Sequence, residues 1–195
     1  MACGGGSGGV KLGRRQAILG AALALSPLMS VAARADDPPD ETAKGPQVGD
    51  HFVFLTGPHK DTPAKAEHLE LGGTQIQAYP VSPKGVVRDG DPLNLVLLVR
   101  VGDQGLDDQT KKNAADGVVA YSAICTHQGC PVNQWSEEKK AMVCSCHQST
   151  YDPKNSAKVI FGPAPAPVAG LPLKSENGVL IVAGPFDAPL GMQQG

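Results

Sequence analysis

Four side chains in this 195-residue chain have the types and spacing of metal ligands: Cys125, His127, Cys144 and His147. They fall in two short boxes, C-T-H-Q-G-C at 125–130 and C-S-C-H-Q-S at 144–149, and each box holds a second cysteine, Cys130 and Cys146. Thiolates are soft anionic donors suited to iron bridged by sulfide, and imidazole is a neutral donor for the same metal. Donors in C-x-H are two residues apart and in C-x-x-H three apart, so each loop can present one ligand to each of two irons. Two imidazoles in place of two thiolates remove negative charge from such a pair, and an added electron then costs less. The reduction potential rises to roughly −150 to +300 mV, against about −400 mV for all-cysteine plant-type clusters. A single tetrahedral zinc ion would use the same four donors. Zinc accounts neither for the further cysteine in each box nor for the polar residues after the second. Two ordinary disulfides, with both histidines at ligand offsets by accident, are a third arrangement.

The ligands need elements to deliver them. Residues 117–124 read as a strong strand ending at Cys125, and Met142 and Val143 lead another strand into Cys144. Between the pairs lie sixteen residues, 128–143, room for a loop out and a strand back. Trp135 is placed in that inter-box loop, where packing is its expected role. Residues 149–152 and 158–161 read as short strands. Upstream, 51–56, 74–79 and 91–101 read as strands, the last containing the apolar run Leu95-Val96-Leu97-Leu98-Val99 of a buried strand. Residues 171–174 and 179–183 flank Glu176-Asn177-Gly178, a hairpin turn. The Pro/Asp/Gly-rich stretch 36–50 reads as a tether. Residues 58–71 are polar with room for a short helix, and 102–116 form a charged loop with room for one helical turn. His51, His59 and His68 have no cysteine at ligand spacing and read as framework or surface residues. Asp107 and Asp108 read as a solvated charge pair, not a catalytic dyad. With 24 glycines and 17 prolines joining short strands, the sum is an all-β domain over 51–195.

The two boxes resemble the signature of Rieske 2Fe-2S proteins, C-x-H-x-G-C followed by C-x-C-H-x-S, and the resemblance runs over about 117–182. It implies a base of antiparallel sheets with a small cluster-binding subdomain at about 121–161. It implies a 2Fe-2S cluster, with Cys125 and Cys144 on one iron, His127 and His147 on the outer one, and a Cys130–Cys146 disulfide. Ser149 matches the serine that bonds a bridging sulfide, and Tyr151 the tyrosine whose hydroxyl reaches the sulfur of Cys125. Both bonds would raise the potential by stabilising the more negative, reduced state. Gly162, Pro163, Ala164 and Pro165 resemble the proline loop that covers the cluster in the Rieske proteins of cytochrome bc complexes, where proline suits a stiff apolar lid. Gln128 and Gln148 depart from the leucine and glycine usual in quinol-oxidising members, and both make the tip more polar.

Residues 1–35 read as an address. Gly13-Arg14-Arg15-Gln16 resembles a twin-arginine export signal, Ala17 opens a nine-residue apolar stretch, and Ala33-Arg34-Ala35 offers a small-x-small cleavage site. Apolar residues over 17–33 are at the short end for a membrane anchor. Export or anchoring would put the domain on the periplasmic side of a bacterial inner membrane, where a disulfide persists. Cys3, in a Gly-rich head with no apolar stretch before it, is not a lipoprotein site. Four of the 17 basic residues fall in 1–35 with no acidic ones, which leaves 13 basic against 19 acidic, a net −6. That argues against nucleic-acid binding. The resemblance implies an electron-transfer subunit of an oxidoreductase complex. As a quinol–cytochrome c reductase subunit it would take electrons from quinol beside cytochrome b and pass them to a c-type cytochrome. The alternative is the small Rieske subunit of a molybdenum oxidoreductase resembling arsenite oxidase, with a molybdopterin subunit as partner. Val119-Ala120-Tyr121-Ser122 matches that group. A Rieske oxygenase would need a second iron domain for which the chain has no room.

Overall fold

The computed structural model describes residues 40–193. The expected signal or anchor at 1–35 lies outside the described residues. Among the described residues, no helix is long and apolar enough to cross a membrane.

The chain folds as antiparallel β-structure in two sheets. The larger uses β1 (His51–Phe54), β2 (Ile76–Val81), β3 (Val96–Arg100), β4 (Val118–Ser122), β9 (Leu173–Glu176) and β10 (Val179–Val182), in the order β4-β3-β2-β1-β10-β9. The smaller runs β5-β6-β7-β8, from β5 (Val132–Ser136), β6 (Ala141–Cys144), β7 (Thr150–Asp152) and β8 (Lys158–Phe161). The two apolar runs become β3 and β4 because both of their faces are covered. Val96 and Leu98 of β3, with Val118 and Ala120 of β4, face one core with Phe52, Phe54 and Leu180. Leu97 and Val99, with Val119 and Tyr121, face a second core that contains Cys125, Cys144, Met142 and Tyr151. Alternation along a strand sends successive side chains to opposite faces, so continuous hydrophobicity is what a strand between two cores requires. The smaller sheet closes the second core, and the Tyr121 hydroxyl ties the two sheets by donating to the Pro153 carbonyl at 3.0 Å.

Three expectations change in the structure. The inter-box segment holds the strand β5, and Trp135 sits on it, opposite Met142. Its sequence, VNQWS, has no clean alternation; pairing with β6 makes it a strand, not burial of one face. Residues 40–50 are bonded into the larger sheet, unlike a free tether. Arg88 donates twice to the buried Asp50 carboxylate, its Nη1 reaches the Glu41 carbonyl at 3.2 Å, and Gly90 N–H bonds the Thr42 carbonyl. Asp107 is no solvated partner of Asp108. It caps the short helix α1 (Asp108–Asn113), accepting from Thr110 N–H at 2.6 Å and from the Ser156 hydroxyl at 2.7 Å. Burial pushes the Asp107 carboxyl up, but these bonds outweigh it and hold its pKa below the usual carboxylate range. The C-terminal hairpin turns at Asn177-Gly178, both at positive φ, 52° and 78°.

Candidate metal centre

The strands end in two turns that share one backbone form. In the first, Cys125 N–H bonds the Cys130 carbonyl at 2.8 Å and Gly129 N–H bonds the Cys125 carbonyl at 3.0 Å. In the second, Cys144 N–H bonds the Ser149 carbonyl at 2.8 Å and Gln148 N–H bonds the Cys144 carbonyl at 3.1 Å. The fifth residue of each turn is left-handed, Gly129 at φ 70° and Gln148 at φ 60°. β4 delivers the first turn and β6 the second, and Val132, just after the first box, pairs with Cys144. The turns are therefore held side by side. A Cys130–Cys146 disulfide joins them, with Cα atoms 6.3 Å apart.

Cys125 and Cys144 are free thiols, each about 1% exposed. The His127 and His147 rings meet edge to face with centroids 4.8 Å apart. His147 is exposed and His127 half-buried. The Nδ1 of His127 is buried and has no hydrogen-bond partner, and an orphaned ring nitrogen at such a place is costly unless something accepts its lone pair. Burial pushes the Cys125 thiol up. Bonds from the Tyr151 hydroxyl, the His127 N–H and the Cys144 and Ser149 side chains outweigh it, and its pKa falls below the ordinary thiol value. Burial also raises the Cys144 thiol, partly offset by the Cys146 N–H, and the neighbouring Cys125 adds to the rise. The Cys144 sulfur lies within 4.8 Å of both disulfide sulfurs. Oxidised sulfurs offer no thiolate, so that trio makes no metal site. Two buried free thiols, two adjacent imidazoles and one orphaned imidazole nitrogen fit a mixed thiolate–imidazole cluster.

The two ligand sulfurs are buried, with hydroxyl groups beside them. The Tyr151 hydroxyl, fully buried, lies 3.1 Å from Cys125 Sγ. Burial, then the bond to Cys125, pushes the Tyr151 pKa well above the phenol value, so it stays protonated and can donate. Ser149 is fully buried, and its oxygen accepts the Ala164 N–H at 3.1 Å. The stretch 162–165 is thus pinned to the second turn, while Thr126 pins the following residue by donating to the Ala166 carbonyl at 2.6 Å. Gly162 has φ 92°, and a Cβ there would lie 2.6 Å from the Ser149 Cα, so only glycine lets this stretch approach the turn. Gln128 and Gln148 are both exposed beside the histidines. His59 and His68 stack on each other with ring centroids 3.9 Å apart, as framework residues. Spacing alone does not reveal Thr126, whose place between two ligands carries no chemical signature, nor the second bond of Ser149.

The Rieske 2Fe-2S domain family matches residues 73–172, and the chain belongs to that family. A Streptomyces lividans protein named cytochrome bc1 complex Rieske iron-sulfur subunit is 36% identical over 98 residues, 49% of this chain and 58% of that one. A Corynebacterium glutamicum protein of the same name is 36% identical over 135 residues, 66% of this chain and 33% of that one. A Haloferax mediterranei protein, provisionally named respiratory nitrate reductase subunit Rieske, is 32% identical over 149 residues, 75% of this chain and 63% of that one. This chain therefore spans less than two thirds of the length of each of these relatives. Its cofactor is a 2Fe-2S cluster, which the two buried thiols and two adjacent imidazoles fit.

Proposed function

We propose that the chain carries electrons from quinol to a c-type cytochrome as the Rieske subunit of a cytochrome bc-type complex. In this reading Cys125 and Cys144 hold one iron, and His127 and His147 hold the outer one. The bound cluster supplies the one-electron chemistry. The protein sets its potential and its access. The observation that carries the reading is the Tyr151 hydroxyl at 3.1 Å from Cys125 Sγ. A donor at a ligand sulfur favours the more negative, reduced state and so raises the potential towards one that quinol can meet. Ser149 adds to this, because its oxygen is occupied by Ala164 N–H and its proton is free to face sulfur. With Nδ1 of His127 buried, Nε2 is the nitrogen left to receive a quinol hydroxyl and its proton. Gly162, Pro163, Ala164 and Pro165 lie against the second turn at Ser149 and cover the cluster from that side. Residues 1–35 then serve as a twin-arginine signal or anchor that places the domain on the periplasmic side of the inner membrane.

The exposed Gln128 and Gln148 favour a second reading, the Rieske subunit of a molybdenum oxidoreductase, because a polar tip suits a protein partner better than an apolar quinol pocket. The Val119-Ala120-Tyr121-Ser122 match lies within β4 and helps to deliver Cys125, so it carries no weight towards either partner. The test is purification of the full chain from its native membranes. Co-purification with a cytochrome b and quinol-driven cytochrome c reduction, lost in Cys144→Ser, supports the first reading. A molybdopterin subunit in its place, with no such activity, rejects it.

A further inference from the structure

Thr126 stands between Cys125 and His127 and is 1% exposed. Its hydroxyl has two neighbours, the Ala166 carbonyl at 2.6 Å and the Tyr151 hydroxyl at 3.5 Å. A carbonyl can only accept, so the single Thr126 proton goes to Ala166. Towards Tyr151, the Thr126 oxygen is left as an acceptor. Tyr151 also has one proton, and two acceptors reach for it: Cys125 Sγ at 3.1 Å and Thr126 Oγ1 at 3.5 Å. We infer that Thr126 is a positioning residue that draws part of the Tyr151 proton away from Cys125 Sγ and so holds the potential of the centre down. The lid segment sets the strength of this pull, because the bond to Ala166 fixes which way the Thr126 oxygen turns.

The inference rests on Cys125 being a cluster ligand, and it gives Thr126 an effect opposite in sign to that of Tyr151. In Thr126→Val the Tyr151 proton has only the sulfur to bond. The oxidised-to-reduced ratio at a fixed ambient potential should fall about threefold, which at 59 mV per decade for one electron is about 28 mV upward. Tyr151→Phe should move the potential downward. Loosening the lid could also raise the potential, and a double-mutant cycle separates the two causes. If Thr126 acts through Tyr151, Thr126→Val produces no rise in the Tyr151→Phe background, and Thr126→Ser, which keeps the hydroxyl, stays near the wild-type value. A rise of the same size in both backgrounds, or no rise in the wild-type background, overturns the inference. Thr126→Ala is read in the same way if the valine variant takes up no cluster. The measurement is a dye-mediated redox titration of the loaded protein followed by EPR. A wild-type protein with no EPR signal after reduction would instead remove the ligand assignment itself.

Discussion

The turns carrying the candidate ligands share a hydrogen-bond pattern and differ in strain and side-chain placement. In the first, the left-handed fifth position is Gly129, which takes φ 70° without penalty; in the second it is Gln148 at φ 60°, where a side chain crowds the backbone. Histidine stands two residues after cysteine in the first and three after in the second. The disulfide cysteine is last in the first turn and third in the second. Both turns open with the free thiol, and because the histidine and the disulfide cysteine are permuted on that common frame, the facing turns present two thiols, two imidazoles and a disulfide. The second turn is the more strained, and it carries the extra support: the Ser149 bond to Ala164 and the close approach of Gly162.

Substitutions distinguish the two turns. The largest effect is expected at the thiols. Cys125→Ser and Cys144→Ser should each abolish cluster uptake, read as loss of visible absorbance and iron content, because each turn supplies a donor that the other cannot replace. Next comes the link between the turns. Cys130→Ser combined with Cys146→Ser opens a loop of sequence separation 16, and denaturant unfolding should show a loss of about 3 kcal/mol. A smaller effect belongs to the first turn alone. Tyr151→Phe removes the donor at Cys125 Sγ, and the midpoint potential should drop by about 59 mV, one decade for a one-electron couple; no drop would place the Tyr151 proton elsewhere. The smallest is a gain. Gln148→Gly should relax the second turn and stabilise the protein by up to ~1 kcal/mol, whereas Gly129→Gln should cost a similar amount in the first. No gain from Gln148→Gly would show that the second turn is not the more strained.

Much of this was legible in the chain. The ligand types and offsets, the strand into each box and the Asn177-Gly178 turn are local signals, and β3 and β4 announce themselves by uninterrupted apolar residues. What was hidden depends on distant partners. β5 exists because β6 pairs with it, and its five residues carry no periodic pattern. The ordering of 40–50 rests on Arg88 meeting Asp50 across 38 positions of sequence, which a Pro/Asp/Gly-rich composition conceals. The departure of Gln148 from the usual glycine reads from sequence as a change of tip polarity; in the structure it is first a matter of backbone φ. Thr126 shows why: its role is defined by two acceptors and one proton, and no spacing rule encodes that.

If this pair of turns holds two irons through two sulfur and two nitrogen donors of the protein, the reduced cluster couples to both histidines. Pulsed EPR on the dithionite-reduced, histidine-15N-labelled protein tests it directly. The expected spectrum is a cluster signal with two strong nitrogen couplings, one of them lost in His127→Cys and the other in His147→Cys. A reduced cluster without strongly coupled nitrogen would contradict it.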